Sequence, residues 1–186
     1  MATRKLCFLP ASHLVDRVIP IVPVRQWVLT LPYPLRYRCA WDPRLTTEIL
    51  RAFLRSLFAD QRRRARRVLG VQRGHNGSVT FIQRFGSALN LTPHFHTLVL
   101  DGVYPGPSHD LGSFVPLPPP ETEDVERVLA GTARRILRAF DRAAATTGYE
   151  GRGLTRQGTH DGLQVVGDGT EAMEKDTNSV SGYAVA

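Results

Sequence analysis

The sequence predicts an α+β fold in which antiparallel strands pack against long helices. Three observations carry this. Residues 24–31, 78–85 and 93–100 are short runs of strand-forming side chains. The second and third of these runs are joined by a short segment, which favours antiparallel pairing. Residues 42–70 repeat apolar side chains at three- and four-residue spacing, the mark of one helical stripe. With 186 residues and 42% hydrophobic side chains, the chain suffices for one compact domain with an ordinary core.

Each element has a local reason. Residues 1–23 mix small apolar stretches with Pro10, Pro20 and Pro23, and residues 13–19 read as a short helix that Pro20 stops. Residues 24–31 form the first core strand, ended by Pro32. Pro34 disfavours helix at Tyr33. Asp42 suits an N-cap and Pro43 a first helical turn. Leu45, Ile49, Phe53, Leu57 and Phe58 then supply the stripe, and the helix should stop near Gly70. Residues 74–77 (Gly-His-Asn-Gly) read as a turn before the strand at 78–85. Residues 86–92 connect that strand to the one at 93–100, and residues 101–104 close the hairpin. After a Pro/Gly/Ser stretch at 105–120, residues 121–145 read as a helix. Acids occupy its first turn and Arg134, Arg135, Arg138 and Arg142 come later, as the helix dipole favours. The 39 residues from Gly148 onward include eight Gly and no Ile, Phe or Trp, so disorder is expected there. No internal repeat is present.

Charge is uneven. Residues 1–104 carry 16 Lys and Arg against 5 Asp and Glu, whereas residues 105–186 carry 8 against 12. The first half is therefore the surface suited to a polyanion, and arginine favours bidentate phosphate contacts. Cys7 and Cys39 make no metal-binding pair and no disulfide framework, which reads as a reducing cytoplasm. No apolar run has the length of a membrane span, and residues 7–10 are too short for a signal-peptide core.

The most informative residues are His94, Phe95 and His96. Side chains alternate along a strand, so both histidines face one way, with Cα atoms about 6–7 Å apart. Two imidazoles so placed can converge on one divalent metal, while Phe95 turns to the apolar side. A half-buried strand also carries such pairs with no metal at all, and the tripeptide alone does not decide between these readings.

The context adds a resemblance. Residues 24–33 with Leu35, Arg36 and Tyr37, then residues 79–91, then residues 94–104, resemble the rolling-circle insertion-sequence transposases, the two-tyrosine branch of the HUH (His-hydrophobe-His) superfamily. The likeness runs from about residue 13 to 143, and its most specific block is 79–104. It implies an RRM-like antiparallel sheet backed by helices, with the His pair on a central strand. It implies that His94 and His96 bind Mg²⁺ or Mn²⁺ with a third polar ligand, Gln83 ranking ahead of Asn90 and Asp101. By the same resemblance the metal would act as a Lewis acid on a phosphate of single-stranded DNA at the element ends, and a tyrosine would attack it, breaking the P–O3′ bond to give a 5′-phosphotyrosyl intermediate and a free 3′-OH. No membrane and no small-molecule substrate enters this chemistry.

Two departures from that family define the expected organisation. The family's nucleophiles are paired tyrosines four apart on a helix downstream of the His pair. Only Tyr33 and Tyr37 have that spacing here, and they come before it, so they are expected to line a core or groove. Tyr104, Tyr149 and Tyr183 do not supply the pair, and the chain alone is not expected to nick DNA. Cys7 and His13 cannot furnish the four ligands of the family's opening zinc module. The expected division is thus a remnant of the zinc-module region at 1–23, a partial transposase core at 24–145, and a disordered or unrelated tail at 146–186. Arg62, Arg63, Arg64, Arg66, Arg67 and Arg84 are the candidate phosphate contacts, although a solvated helix end would hold most of them equally well. Trp27, Phe81 and Phe85 could offer stacking faces to single-stranded nucleic acid, but such residues more often belong to the core. Two alternatives stay open: a non-catalytic nucleic-acid-binding module or pseudogene product without a working metal site, and an RNA-binding domain of similar topology.

Overall fold

The computed structural model describes residues 17–85, 91–147 and 163–167. In chain order these form strand β1 (Val24–Thr30), helices α1 (Tyr33–Trp41) and α2 (Pro43–Leu69), and strands β2 (Gly74–His75), β3 (Ser78–Phe85), β4 (Leu91–Leu100), β5 (Gly102–Pro105) and β6 (Val115–Pro116). Helix α3 (Thr122–Thr147) and strand β7 (Gln164–Gly167) complete the set. Of the helix expected at 13–19 only residues 17–19 are described, and of the remnant expected at 1–23 only residues 17–23.

The α+β expectation holds. The main sheet is antiparallel, in the order β3-β4-β1-β7. Its strands alternate with helices along the chain as strand, helices, strand, strand, helix, strand, the split βαβ arrangement of RRM-like folds. All helices lie against one face. Trp27, Leu29, Phe95 and Val99 from the sheet are buried with Leu35, Cys39, Ile49, Phe53 and Leu57 from α1 and α2, and with Val128, Ala133 and Ile136 from α3. Among the described residues, no element packs on the other face.

Helix α2 begins and ends where local chemistry dictates. The Asp42 carboxylate accepts from the Arg44 N–H at 2.9 Å and the Leu45 N–H at 3.0 Å, satisfying two of the orphan donors of the first turn. Gly70 takes the left-handed φ of +68° that closes the helix.

Three elements depart from expectation. Residues 33–41 are helical despite Pro34, because proline sits in the first turn, where its missing N–H costs nothing. Residues 74–75 are a strand rather than a turn, and residues 102–105 do not close the β3–β4 hairpin. They pair with each other, Gly74 with Pro105 and His75 with Tyr104, and β6 extends them into a second sheet. The third departure is in the tail. Strand β7 is the edge of the main sheet, with Leu163 and Val165 buried in the core and Gly167 lying against the Trp27 indole. The rest of the tail lies outside the described residues.

Charged groups are also used inside. Arg25 and Asp101, together at one end of the β1–β4 ladder, form a buried pair: the Arg25 Nη2 lies 2.7 Å and Nε 3.2 Å from the carboxylate. Gln61 of α2 donates to the Leu100 carbonyl at 2.8 Å and accepts from Asn76 at 2.8 Å, tying the helix to the end of β4.

Two stability outcomes follow. Asp101→Ala removes the carboxylate that pairs with the buried Arg25 guanidinium, and chemical denaturation should show a loss of about 3–5 kcal/mol. Leu163→Ala should cost about 2–5 kcal/mol, whereas Val166→Ala, on the open face and 58% exposed, should stay within about 0.5 kcal/mol. Equal effects at the two positions would contradict the placement of β7.

Candidate metal and nucleic-acid site on the open sheet face

Strand β4 alternates as the sequence predicts. Phe95, Thr97 and Val99 turn to the helices, and His94, His96 and Leu98 turn to the open face. The register then builds rows across that face. Phe81, His96, Val28 and Val166 make one row, and Gln83, His94, Thr30 and Gln164 the next. Gln83 is thus the direct cross-strand neighbour of His94, as its place on the adjoining strand suggested. Phe81, given the character of a core residue by sequence, is 49% exposed beside His96.

The two imidazole rings lie edge to face, 6.4 Å between centroids. The Nδ1 of His94 is buried and has no hydrogen-bond partner among the described residues. Burial is the main reason the His94 pKa falls below its ordinary value, and the neighbouring Arg36 and His96 push the same way. His94 is therefore a neutral imidazole at pH 7, the form that binds metal. The donor chemistry suits a divalent ion: two imidazoles on one face, an amide alongside, and an orphaned buried nitrogen. Arg36 sets a positive charge against it, and among the described residues no third His, Cys, Asp or Glu joins the pair. Asp101 is on the far side, engaged with Arg25, and Asn90 lies outside the described residues. The Cys39 thiol belongs to the core and is pushed up to about 11 by burial, so it is neither ligand nor nucleophile.

The arginine run of α2 divides. Arg64 is 2% exposed, its Nε 3.3 Å from Asp124 and its Nη2 donating to the Pro118 carbonyl. Arg63 bridges Asp60 and Asp124, each at 2.7 Å. Burial opposes the Asp124 charge, but the Glu121 N–H and the guanidinium groups of Arg127, Arg63 and Arg64 hold its carboxyl below the usual range. These two arginines join α2 to α3, a structural use that competes with the phosphate contacts expected of them. Arg66 and Arg67 are exposed on the surface. Arg84 is exposed on β3 and reaches the Ala40 carbonyl at 3.4 Å.

Arg62 holds Asn76 at 3.1 Å and lines an open cleft of about 470 Å³ with Arg73, His75, Gly106, Ser108 and His109. The sequence carried no signal for this cleft: His75 and His109 are far apart in the chain and meet only through the β2–β5 pairing. Of the core or groove role expected of Tyr33 and Tyr37, the core half does not hold. Both project to solvent from α1, 78% and 60% exposed, and neither belongs to the core.

Among the described residues, no helix is long and apolar enough to cross a membrane. No curated protein and no solved structure matches the chain. Residues 77–118 match the family model described as "Putative transposase", and that segment spans β3, β4, β5 and β6 and so contains Gln83, His94 and His96.

Proposed function

We propose that this chain serves DNA transposition, and that its open sheet face binds single-stranded DNA at an element end beside a divalent ion, Mg²⁺ or Mn²⁺. The observation that supports this most is the position of His94 and His96. They share the uncovered face of a four-stranded sheet, inside the segment that resembles transposases. His94 and His96 would hold the ion, with Gln83 as the third donor. A bound divalent ion supplies Lewis-acid polarisation of a phosphodiester oxygen.

The chain's own residues prepare that chemistry. Low basicity at His94 keeps a lone pair free near neutral pH. Strands β1 and β3 on either side fix the backbone from which both imidazoles project, which lowers the ordering cost of binding. Arg66, Arg67, Arg62 and Arg84 then offset phosphate charge outside the sheet face, while Arg63 and Arg64 keep α2 on α3. A phosphodiester on the face would also answer the positive charge that Arg36 places beside His94.

Mn²⁺ titration of the wild type and of the His94→Ala/His96→Ala variant tests the metal centre. The variant should lose at least about tenfold in affinity, and equal binding would remove the site. Affinity should also depend on pH. The His94 pKa lies below its ordinary value of 6.5, so neutral imidazole is favoured in the folded chain. Binding should be level above that pH and fall as acid takes the pH down through the folded value. An affinity already falling between pH 8 and pH 7 would show that His94 is not depressed. For DNA, log affinity should decline linearly with log salt. Replacing both Arg66 and Arg67 by Ala should flatten the slope by roughly 0.7 per lost contact. An unchanged slope would take these two arginines out of the interface, and tighter binding of an RNA oligomer of equal sequence would redirect the reading to RNA.

A further inference from the structure

Helix α1 carries an aromatic edge that the sheet-face site does not use. Tyr33, Tyr37 and Trp41 recur at four-residue spacing, so they sit on one side of the helix, about 6 Å apart along its axis. All three are exposed, Trp41 at 71%, whereas Leu35 and Cys39 of the same helix are buried in the core. Three adjacent exposed aromatics are a costly surface unless something stacks on them.

The surroundings identify the partner. Helix α1 holds no acidic residue and contributes Arg36 and Arg38. Arg38 is turned inward, over the Phe140 ring at 5.2 Å. Arg36 lies in the same helical turn as Tyr33 and Tyr37, and its charge is felt at His94. From the other side Arg84 of β3 reaches the C-terminal end of α1 at Ala40. The edge is therefore aromatic and cationic, and it borders the His94 end of the open face. Flat rings flanked by guanidinium groups suit unpaired bases and their phosphates; an aliphatic protein partner would find no aliphatic surface among these three residues.

We propose that Tyr33, Tyr37 and Trp41 form a stacking ledge for bases of single-stranded DNA, leading the strand toward the His94–His96 site. This rests on the reading that the chain binds single-stranded DNA, and it adds a second contact surface to the sheet face.

The two tryptophans make the ledge observable. Trp27 is 2% exposed, so a fluorescence change on DNA binding reports Trp41. The 186-residue chain is titrated with oligo-dT and with an abasic oligomer of equal length. Oligo-dT should quench the emission, and the abasic oligomer should bind more weakly without quenching. Tyr37→Ala and Trp41→Ala should each weaken oligo-dT binding about five- to 150-fold. Both should leave the salt slope unchanged, because phosphate contacts remain. Tyr37→Phe should keep the affinity, because the ring remains. Oligo-dT binding without quenching and with unchanged alanine variants would overturn the ledge while leaving DNA binding by the sheet face intact. No binding of oligo-dT by the wild type would overturn both. Alanine variants that turn a dimer into a monomer at unchanged DNA affinity would assign the aromatics to self-association and overturn the ledge.

Discussion

The buried pair of Arg25 and Asp101 governs which residues reach the open face. It joins the start of β1 to the end of β4, and the Asp101 backbone adds bonds on both sides. Its N–H donates to the Pro23 carbonyl at 2.8 Å, and its carbonyl accepts from the Leu117 N–H at 2.9 Å. A slip of one residue between the strands would break this knot and turn every side chain of β4 to the opposite face. Phe95 would then meet water and His94 the core. An ion pair removed from water adds little net stability compared with apolar packing. Its contribution here is geometric: it specifies one register, and the register places two imidazoles between Gln83 and Phe81 on one side and Thr30 and Val28 on the other.

A second charged cluster shows how one composition serves two ends. Successive helical residues turn by about 100°, so the five arginines between residues 62 and 67 cannot share a face. Arg64 and Arg63 meet Asp124 and Asp60 and fasten α2 to α3, while Arg66 and Arg67 remain on the surface. The net positive charge of the first half therefore overstates what is free to meet a polyanion. Arg25 and Arg64 are both spent internally.

Much of the fold was legible because its causes are local. Strand β1, the Asp42 cap, the long apolar stripe of α2 and the β3–β4 pairing each follow from residues within a few positions of one another. The misread segments have distant causes. Pro34 reads as a breaker until its position in the first helical turn is known. Residues 74–75 become a strand only because residues 102–105 lie beside them. Strand β7 has little apolar content, yet β1 offers it an unpaired edge and Trp27 a surface, so Leu163 and Val165 suffice to seat it. Of the candidate site, the shared face of His94 and His96 was legible from alternation, and the place of Gln83 beside them from strand order. The basic cleft of Arg62, Arg73, His75 and His109 was not, since its members meet through long-range pairing.

The sequence by itself determined the strand bearing His94 and His96, the capped helix that supports it, and the concentration of arginine in the first half. These depend on periodicity and on side-chain chemistry at short range. Tertiary structure alone decided that the tail supplies the fourth strand, that Arg64 is buried while Arg67 is exposed, and that Tyr33, Tyr37 and Trp41 face solvent. The physical reason is common to all three: exposure and pairing depend on which surfaces remain after distant segments have packed, and a local pattern records only which surfaces an element has to offer.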